Sequence, residues 1–294
     1  VDFAFVSGDA YVDHPSFGHA IISRVLEAEG FRVGIIAQPD WRTPKDFLTL
    51  GRPRIGVLVS SGNLDSMVCA YTAARKKRSE DAYSPGGEAG KRPDRATIVY
   101  CNRIRELWGD IPLVIGGIEA SLRRFSHYDY WSDSLRRSML VDSRADLLVY
   151  GMGERPIREI ATRLRAGENV RDIRDVRGTC YRAGDEELPF DSVELPSFEE
   201  TVSDPAAFTR SFQLFSREQD PVRGRTLRQK HGLSHVVQNP PAALLSEAEL
   251  DAIYELPYVR TYHPQYENAG GVPAIREVQF SLVTHRGCFG GCAF

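Results

Sequence analysis

The sequence predicts an α/β fold for its first half, with the strands forming a doubly wound parallel sheet. Three observations support this class: five short apolar runs rich in β-forming residues, helical patterns between them, and glycine or serine turns after several runs. Strands that alternate with helices need crossover connections, and crossovers of one hand give a parallel sheet with helices on both faces. We therefore expect a five-stranded, mainly parallel sheet within residues 1–165.

The individual elements of this domain follow from the apolar pattern. The expected strands are residues 3–6, 33–37, 55–59, 113–115 and 147–150. The third of these is nearly all apolar, as a strand buried on both faces must be. A helix is expected at residues 16–29, where Gly30 occupies the position of a left-handed C-terminal cap, and another at 156–164.

The remainder of the chain divides into two further predicted parts. Residues 166–270 are expected to form a small β-ribbon near 172–182 and a linker with one helix, which Ser246 and Glu249 start as a capping box. Residues 277–283 alternate polar and apolar side chains at period two, which predicts a strand. We expect this strand to begin a separate part of the fold at 271–294.

Composition narrows the class of protein. The chain has 294 residues, 42% of them hydrophobic, which is enough for a buried core, and its formal net charge is only -3. The charge pattern suggests no nucleic-acid partner, and the absence of a long apolar run or signal peptide predicts a cytosolic protein without a membrane partner. Because the chain starts at Val1 and stops inside a motif, we expect it to be a fragment.

Two of the five cysteines form a close pair. Cys288 and Cys292 lie on a glycine-containing loop directly after the strand predicted at 277–283. Glycines let the backbone turn tightly enough for two thiolates to converge on one cluster. The spacing alone leaves an iron–sulfur site, a zinc site with distant partners and no metal all open. Cys69 and Cys101 stand among apolar residues and are expected in the core.

The close pair belongs to a longer pattern. Cys288-x-x-x-Cys292-x-Phe294, preceded by Thr284-His285-Arg286-Gly287, resembles the start of the radical S-adenosylmethionine (SAM) motif CxxxCxΦC, where Φ is aromatic. The resemblance implies that Cys288 and Cys292 ligate a [4Fe-4S] cluster and that Phe294 lies beside SAM. A third cysteine would follow Phe294. It also implies a partial TIM barrel, an electron donor such as flavodoxin or ferredoxin, and reductive cleavage of SAM to a 5′-deoxyadenosyl radical.

Longer matches point to one branch of that superfamily. The segments 7–18, 115–125 and 127–131 resemble the YgiQ-type (UPF0313) radical SAM proteins, which implies a radical enzyme acting on an unknown substrate. The N-terminal domain of that family resembles cobalamin-binding domains, whose cobalt-ligating histidine commonly stands in Asp-x-His-x-x-Gly. Here Asp13 and His14 are adjacent and Gly18 lies four residues beyond the histidine, so this spacing argues against cobalt ligation by His14.

Several other residues permit two interpretations. We expect a ligand crevice outside the carboxyl ends of the strands, near Ser7, Ser60 and Gly116. The loops after the third and fourth strands should line it. Glu119 is either an acid or base, or a carboxylate favoured by a helix N-terminus. Residues 127–131 are expected either to recognise a planar substrate or to form a packed aromatic turn. The basic run 75–78 is expected to be either a solvated loop or a phosphate clamp.

At the level of function, two hypotheses follow from the sequence. The preferred one is a radical SAM enzyme with [4Fe-4S] and SAM as cofactors. The alternative is a corrinoid- or nucleotide-binding α/β module in which the pair Cys288 and Cys292 binds zinc.

Overall fold

Strand and helix patterns alternate in the structure much as they do in the sequence. The computed structural model describes residues 1–283 and residue 286. In chain order the strands are β1 (Phe3–Ser7), β2 (Val12–Asp13), β3 (Val33–Ala37), β4 (Gly56–Ser60), β5 (Leu113–Gly116), β6 (His127–Asp129), β7 (Ser134–Arg136), β8 (Leu147–Val149), β9 (Thr179–Ala183), β10 (Ser192–Leu195), β11 (Thr226–His231), β12 (Ser234–Gln238) and β13 (Thr261–Tyr262). Each of the five predicted strands of the first half is therefore found within one residue of its predicted bounds.

Helices connect and cover these strands. They are α1 (Gly18–Ala28), α2 (Ser66–Ala70), α3 (Ala96–Trp108), α4 (Gly117–Leu122), α5 (Met139–Asp142), α6 (Glu154–Arg165), α7 (Phe198–Ser203), α8 (Pro205–Arg217), α9 (Glu247–Tyr254) and α10 (Ile275–Val278). Gly30 follows α1 at φ +81°, which is the left-handed cap that its position predicts. Within the described part of the chain, no helix is both long and apolar enough to span a bilayer.

The first five strands of the main sheet are parallel. Their spatial order is β3-β1-β4-β5-β8, so the chain starts in the middle, adds one strand on one side and then crosses to the other. This is the 2-1-3-4-5 order of flavodoxin-like doubly wound folds, in which the topological switch point lies between the first and third strands. The predicted α/β class is confirmed, with β1 and β4 on either side of the switch point.

The sheet extends beyond the predicted five strands. β9 pairs antiparallel with β8, and β12, β11 and β10 follow it to give nine strands in one sheet. The prediction that the sheet ends before residue 165 is therefore wrong, and backbone pairing runs across the predicted domain boundary. A strand like β8, buried along its whole length, needs a partner on both sides, and β9 supplies the second one.

Both faces of the parallel strands are buried. Alternate residues of β1, β4 and β5 pack on one side against Tyr100 and Ile104 of α3. The intervening residues pack on the other side against Val25 of α1 and Ile160 of α6. Helices on both faces explain why these strands are almost entirely apolar in sequence.

The predicted strand at 277–283 is absent from the structure. The chain there forms the end of α10 and a turn, because the amides of Gln279 and Ser281 donate to the carbonyls of Ile275 and Val278 at 2.8 and 2.9 Å. A period-two pattern yields a strand only where a neighbour completes its hydrogen bonds and one face is buried. None of the described residues pairs with 277–283, and Phe280 is 93% exposed.

Candidate functional site

A crevice lies at the carboxyl edge of the sheet, beside the ends of β4, β5 and β8. Its volume is about 270 Å³, and α1 and α6 form its sides. Ile22 of α1, Val149 of β8 and Ile157 of α6 give it an aliphatic lining. Ser60 and Gly116 line it, as the sequence predicts, whereas Ser7 does not. This edge is where ligands bind in open α/β sheets.

Buried ionic groups occupy the switch point itself. Asp9 follows β1 and lies 2.8 Å from a guanidinium nitrogen of Arg92, which also lies 3.1 Å from Asp81. The Asn63 amide donates to Asp9 at 2.6 Å. Burial raises the pKa of Asp9 to about 7, while the charge of Arg92 opposes that shift. With Ser7 fully buried behind this cluster, the crevice is displaced toward β5 and β8.

An ion pair joins the crevice to the segment just before the cysteine pair. Glu154 begins α6 and is only 2% exposed, and its Oε1 accepts hydrogen bonds from both terminal nitrogens of Arg286, with Nη2 at 2.6 Å. The Arg286 Nε donates to the Tyr254 hydroxyl at 3.1 Å. A carboxylate is favoured at a helix N-terminus, which explains the place of Glu154. Glu154 and Arg286 both line the crevice.

The predicted site residues Cys288, Cys292 and Phe294 lie outside the described residues. The other three cysteines are buried free thiols. Burial raises the pKa of Cys69 and of Cys180 to about 12, and it also raises the pKa of Cys101. These cysteines are therefore protonated thiols packed in the core, as expected for Cys69 and Cys101. The described residues contain no group of three histidine, cysteine or acidic side chains that could hold a metal ion.

Glu119 has a structural role. Its carboxylate is fully buried and accepts hydrogen bonds from the Ser66 amide at 2.7 Å and the Thr97 amide at 3.2 Å. Those amides belong to the first turns of α2 and α3, so one carboxylate joins the N-termini of two helices. This favours the interpretation of Glu119 as a helix-terminus carboxylate over that of an acid or base.

The other candidate residues from the sequence do not line the crevice. His14 is buried, accepts from the Ser16 amide at 3.1 Å through Nδ1, and does not line the crevice. The basic run 75–78 is exposed, as expected for a solvated loop, and the guanidinium of Arg75 stacks on the ring of Tyr130. Residues 127–131 form β6 and the following turn, which line a second cavity.

No local sequence pattern indicates the ion pair of Glu154 and Arg286. The two residues are 132 positions apart, and only the folded chain brings them together. A glutamate at a helix start is common, so nothing in the pattern around Glu154 distinguished it.

Comparison with known proteins identifies the class. A family model described as "Radical SAM N-terminal" matches residues 1–281. The chain therefore belongs to the radical SAM N-terminal family.

Curated relatives confirm the resemblance to the UPF0313 proteins. A UPF0313 protein of Clostridium botulinum is 58% identical over all 294 residues, which make up 46% of that protein. A UPF0313 protein of Clostridium perfringens is also 58% identical over the whole chain, which covers 44% of it. The chain thus spans slightly less than half the length of these curated relatives.

One solved structure is also similar. It is the radical S-adenosylmethionine methyltransferase TsrM from Kitasatospora setae, determined with tryptophan substrate and the SAM analogue aza-SAM. The match covers 61% of this chain and 28% of that one, with 22% identity and a TM-score of 0.41. Similarity at this level does not establish a shared fold.

Proposed function

We propose that this chain is the N-terminal part of a radical SAM enzyme. In this proposal Cys288, Cys292 and a third cysteine beyond Phe294 hold a [4Fe-4S] cluster, and Phe294 lies beside the bound SAM. The family match over residues 1–281 and the CxxxCxΦ pattern that follows it support this function. An electron donor of the flavodoxin or ferredoxin type is the expected partner, and the substrate is left open.

The observation that carries the proposal is the CxxxCxΦ pattern, and one member of the ion pair between Glu154 and Arg286 lies directly before it in the chain. Arg286 precedes Cys288 by two residues, and the pair places Arg286 at the carboxyl edge of the sheet. A buried carboxylate needs a compensating charge, and here the compensating charge comes from the motif segment. The α/β domain thereby supplies an aliphatic crevice directly beside the segment that leads into the cluster ligands.

The donor set of the chain fits this assignment. Cys69, Cys101 and Cys180 are buried and protonated, which leaves Cys288 and Cys292 as the thiolates that this chain can offer. When bound, a [4Fe-4S] cluster supplies the electron that cleaves SAM reductively. The contribution of this chain's described residues is the pair of Glu154 and Arg286, which holds Arg286 at the aliphatic crevice.

The test is the metal content of a protein extended through the third cysteine and the rest of the chain. After anaerobic reconstitution we expect about four iron and four sulfide per chain and broad visible absorption. Cys288→Ala and Cys292→Ala should lose both, while the matched variant Cys101→Ala should keep both. A colourless protein that holds zinc through Cys288 and Cys292 would overturn the proposal.

A further inference from the structure

The second cavity differs from the crevice in the kind of side chain that lines it. It has a volume of about 580 Å³ and lies between α8 and the β6–β7 hairpin. Seven of its sixteen lining residues are phenylalanine, tyrosine or tryptophan, although these types make up 10% of the chain. Only one of the 21 lining residues of the crevice is aromatic. The cavity is of a size that holds a small molecule, and its rings favour a flat one.

Two rings of this second cavity, called the aromatic cleft from here on, are fixed by contacts with other groups. The Tyr130 hydroxyl donates to the Ala73 carbonyl at 2.6 Å, and the Trp131 ring meets the Tyr130 ring edge to face at 4.8 Å between centroids. The Trp131 amide donates to Asp129 at 3.0 Å, and Asp129 is paired with Arg95 at 2.9 Å. Rings that are already fixed lose little conformational entropy when a ligand binds.

The charged side chains of the aromatic cleft are each engaged by other protein groups. Asp65 and Asp129 line it together with Arg123 and Arg124. Asp65 is paired with Arg123 at 2.7 Å, and Asp129 with Arg95 behind it. Arg124 donates to two glutamine side chains and to the Ser121 carbonyl and stacks on the Phe215 ring, so each of its three nitrogens already has an acceptor. A neutral ligand therefore suits the cleft better than an ion.

His127 provides a hydrogen-bond acceptor in the wall. Its Nδ1 lies 3.1 Å from the Phe125 carbonyl, which can only accept, so Nδ1 carries the proton. Burial lowers the pKa of His127 to about 4, so the ring is neutral at pH 7. Its Nε2 is then an unprotonated acceptor, and it has no hydrogen-bond partner among the described residues.

We propose that the aromatic cleft between α8 and the β6–β7 hairpin binds a neutral, planar heteroaromatic ring that donates an N–H to His127 Nε2. The ring stacks against the aromatic walls. This site does not depend on the cluster, so it is testable on the 294-residue chain even if the proposed radical chemistry fails.

The experiment uses indazole, which is planar and neutral and carries an N–H donor, and 1-methylindazole, which lacks that donor. Binding is measured by isothermal titration calorimetry on the chain and on the extended protein. We expect both probes to bind, with indazole about three- to tenfold tighter, as a single hydrogen bond allows. His127→Phe should abolish that preference and leave the affinity for 1-methylindazole in place.

The contribution of the aromatic wall is tested by Phe212→Leu. We expect it to weaken both probes about three- to tenfold, since it removes one ring face from the cleft. The matched control is Phe190→Leu, the same change at a fully exposed phenylalanine outside the cleft, which should not alter binding. Unchanged melting curves verify that each variant is folded.

Three results would overturn the proposal. The first is binding of the saturated ring cyclohexanol with the same affinity as indazole. The second is an equal effect of Phe212→Leu and Phe190→Leu. The third is loss of indazole binding in the extended protein, which would mean that another segment of the longer chain fills the cleft.

Discussion

At the scale of single residues, Gly8 shows how tightly the carboxyl edge of the sheet is packed. The main chain passes over the Ser61 carbonyl immediately after β1, and the Gly8 amide donates to the Ser60 carbonyl at 3.0 Å. A Cβ atom at Gly8 would lie 2.1 Å from the Ser61 oxygen, far inside van der Waals contact. The backbone oxygen cannot rotate away as a side chain can, so a larger residue must displace the switch-point loops.

We predict that Gly8→Ala destabilises the protein by about 2 kcal/mol or more, because the clash involves backbone. The matched control is Gly18→Ala at the first position of α1, where no atom lies within 4 Å of the added carbon. That change should be neutral or stabilise by up to about 1 kcal/mol. Urea unfolding of the two variants measures the difference, and equal effects would contradict the packing described here.

We predict that replacing Arg286 and replacing Glu154, the two members of the ion pair, destabilise the protein by different amounts. Arg286→Met leaves a buried carboxylate without its partner and should cost about 2–3 kcal/mol, somewhat less than a fully enclosed pair. Glu154→Gln should cost less, since the Arg286 side chain is 22% exposed and can be hydrated. The double variant should be more stable than Arg286→Met alone. Additive losses in urea unfolding would show that the two side chains are not coupled.

At the scale of elements, α9 is a helix whose start is tied to a neighbour. Ser246 and Glu249 form the predicted capping box, and Glu249 also accepts from Arg155 of α6. The Arg155 side chain first, and the Ser246 amide and hydroxyl next, lower the pKa of Glu249 to about 2. Because this folded-state pKa lies below the ordinary glutamate value, the stabilisation is complete above about pH 4.5 and is lost as the pH falls toward 2.

We therefore predict that Glu249→Gln flattens the acid side of the stability curve. The melting temperature of the wild type should fall more steeply than that of the variant between pH 5 and pH 2.5. Glu247→Gln, in the first turn of the same helix but outside the capping box, should keep the wild-type slope. Parallel curves for Glu249→Gln and the wild type would refute the role given to Glu249.

At the scale of the whole molecule, the sequence predicts the parallel half of the sheet well. β1, β3, β4, β5 and β8 are short apolar runs with helices between them, and local pattern suffices for such strands. β9–β12 are less apolar and mostly antiparallel, and their place in the sheet depends on pairing with β8, which is a long-range contact. The prediction of a strand at 277–283 was wrong for the same reason, because pairing and burial rather than alternation decide whether a strand forms.

The same distinction between local pattern and long-range contact applies to the candidate site. Ser60 and Gly116 lie at strand ends, and the strand pattern was enough to place them beside a crevice. Ser7 also lies at a strand end, but the buried group of Asp9, Arg92 and Asp81 closes the edge there. That group joins three separate segments, and no local pattern reveals which charges will meet in the folded chain. The assignment of Cys288 and Cys292 as cluster ligands is based on the motif and on the family, and it stays a prediction.

In the proposed function, Cys288 and Cys292 serve radical SAM chemistry. The most direct measurement is formation of 5′-deoxyadenosine from SAM under reducing, anaerobic conditions, followed by mass spectrometry. A protein extended through a third cysteine beyond Phe294 and the rest of the chain should form it, and Cys288→Ala or Cys292→Ala should abolish it while Cys69→Ala leaves it intact. The 294-residue chain should form none, because two thiolates do not complete the ligand set. Undiminished 5′-deoxyadenosine formation by an extended protein lacking both Cys288 and Cys292 would contradict the account.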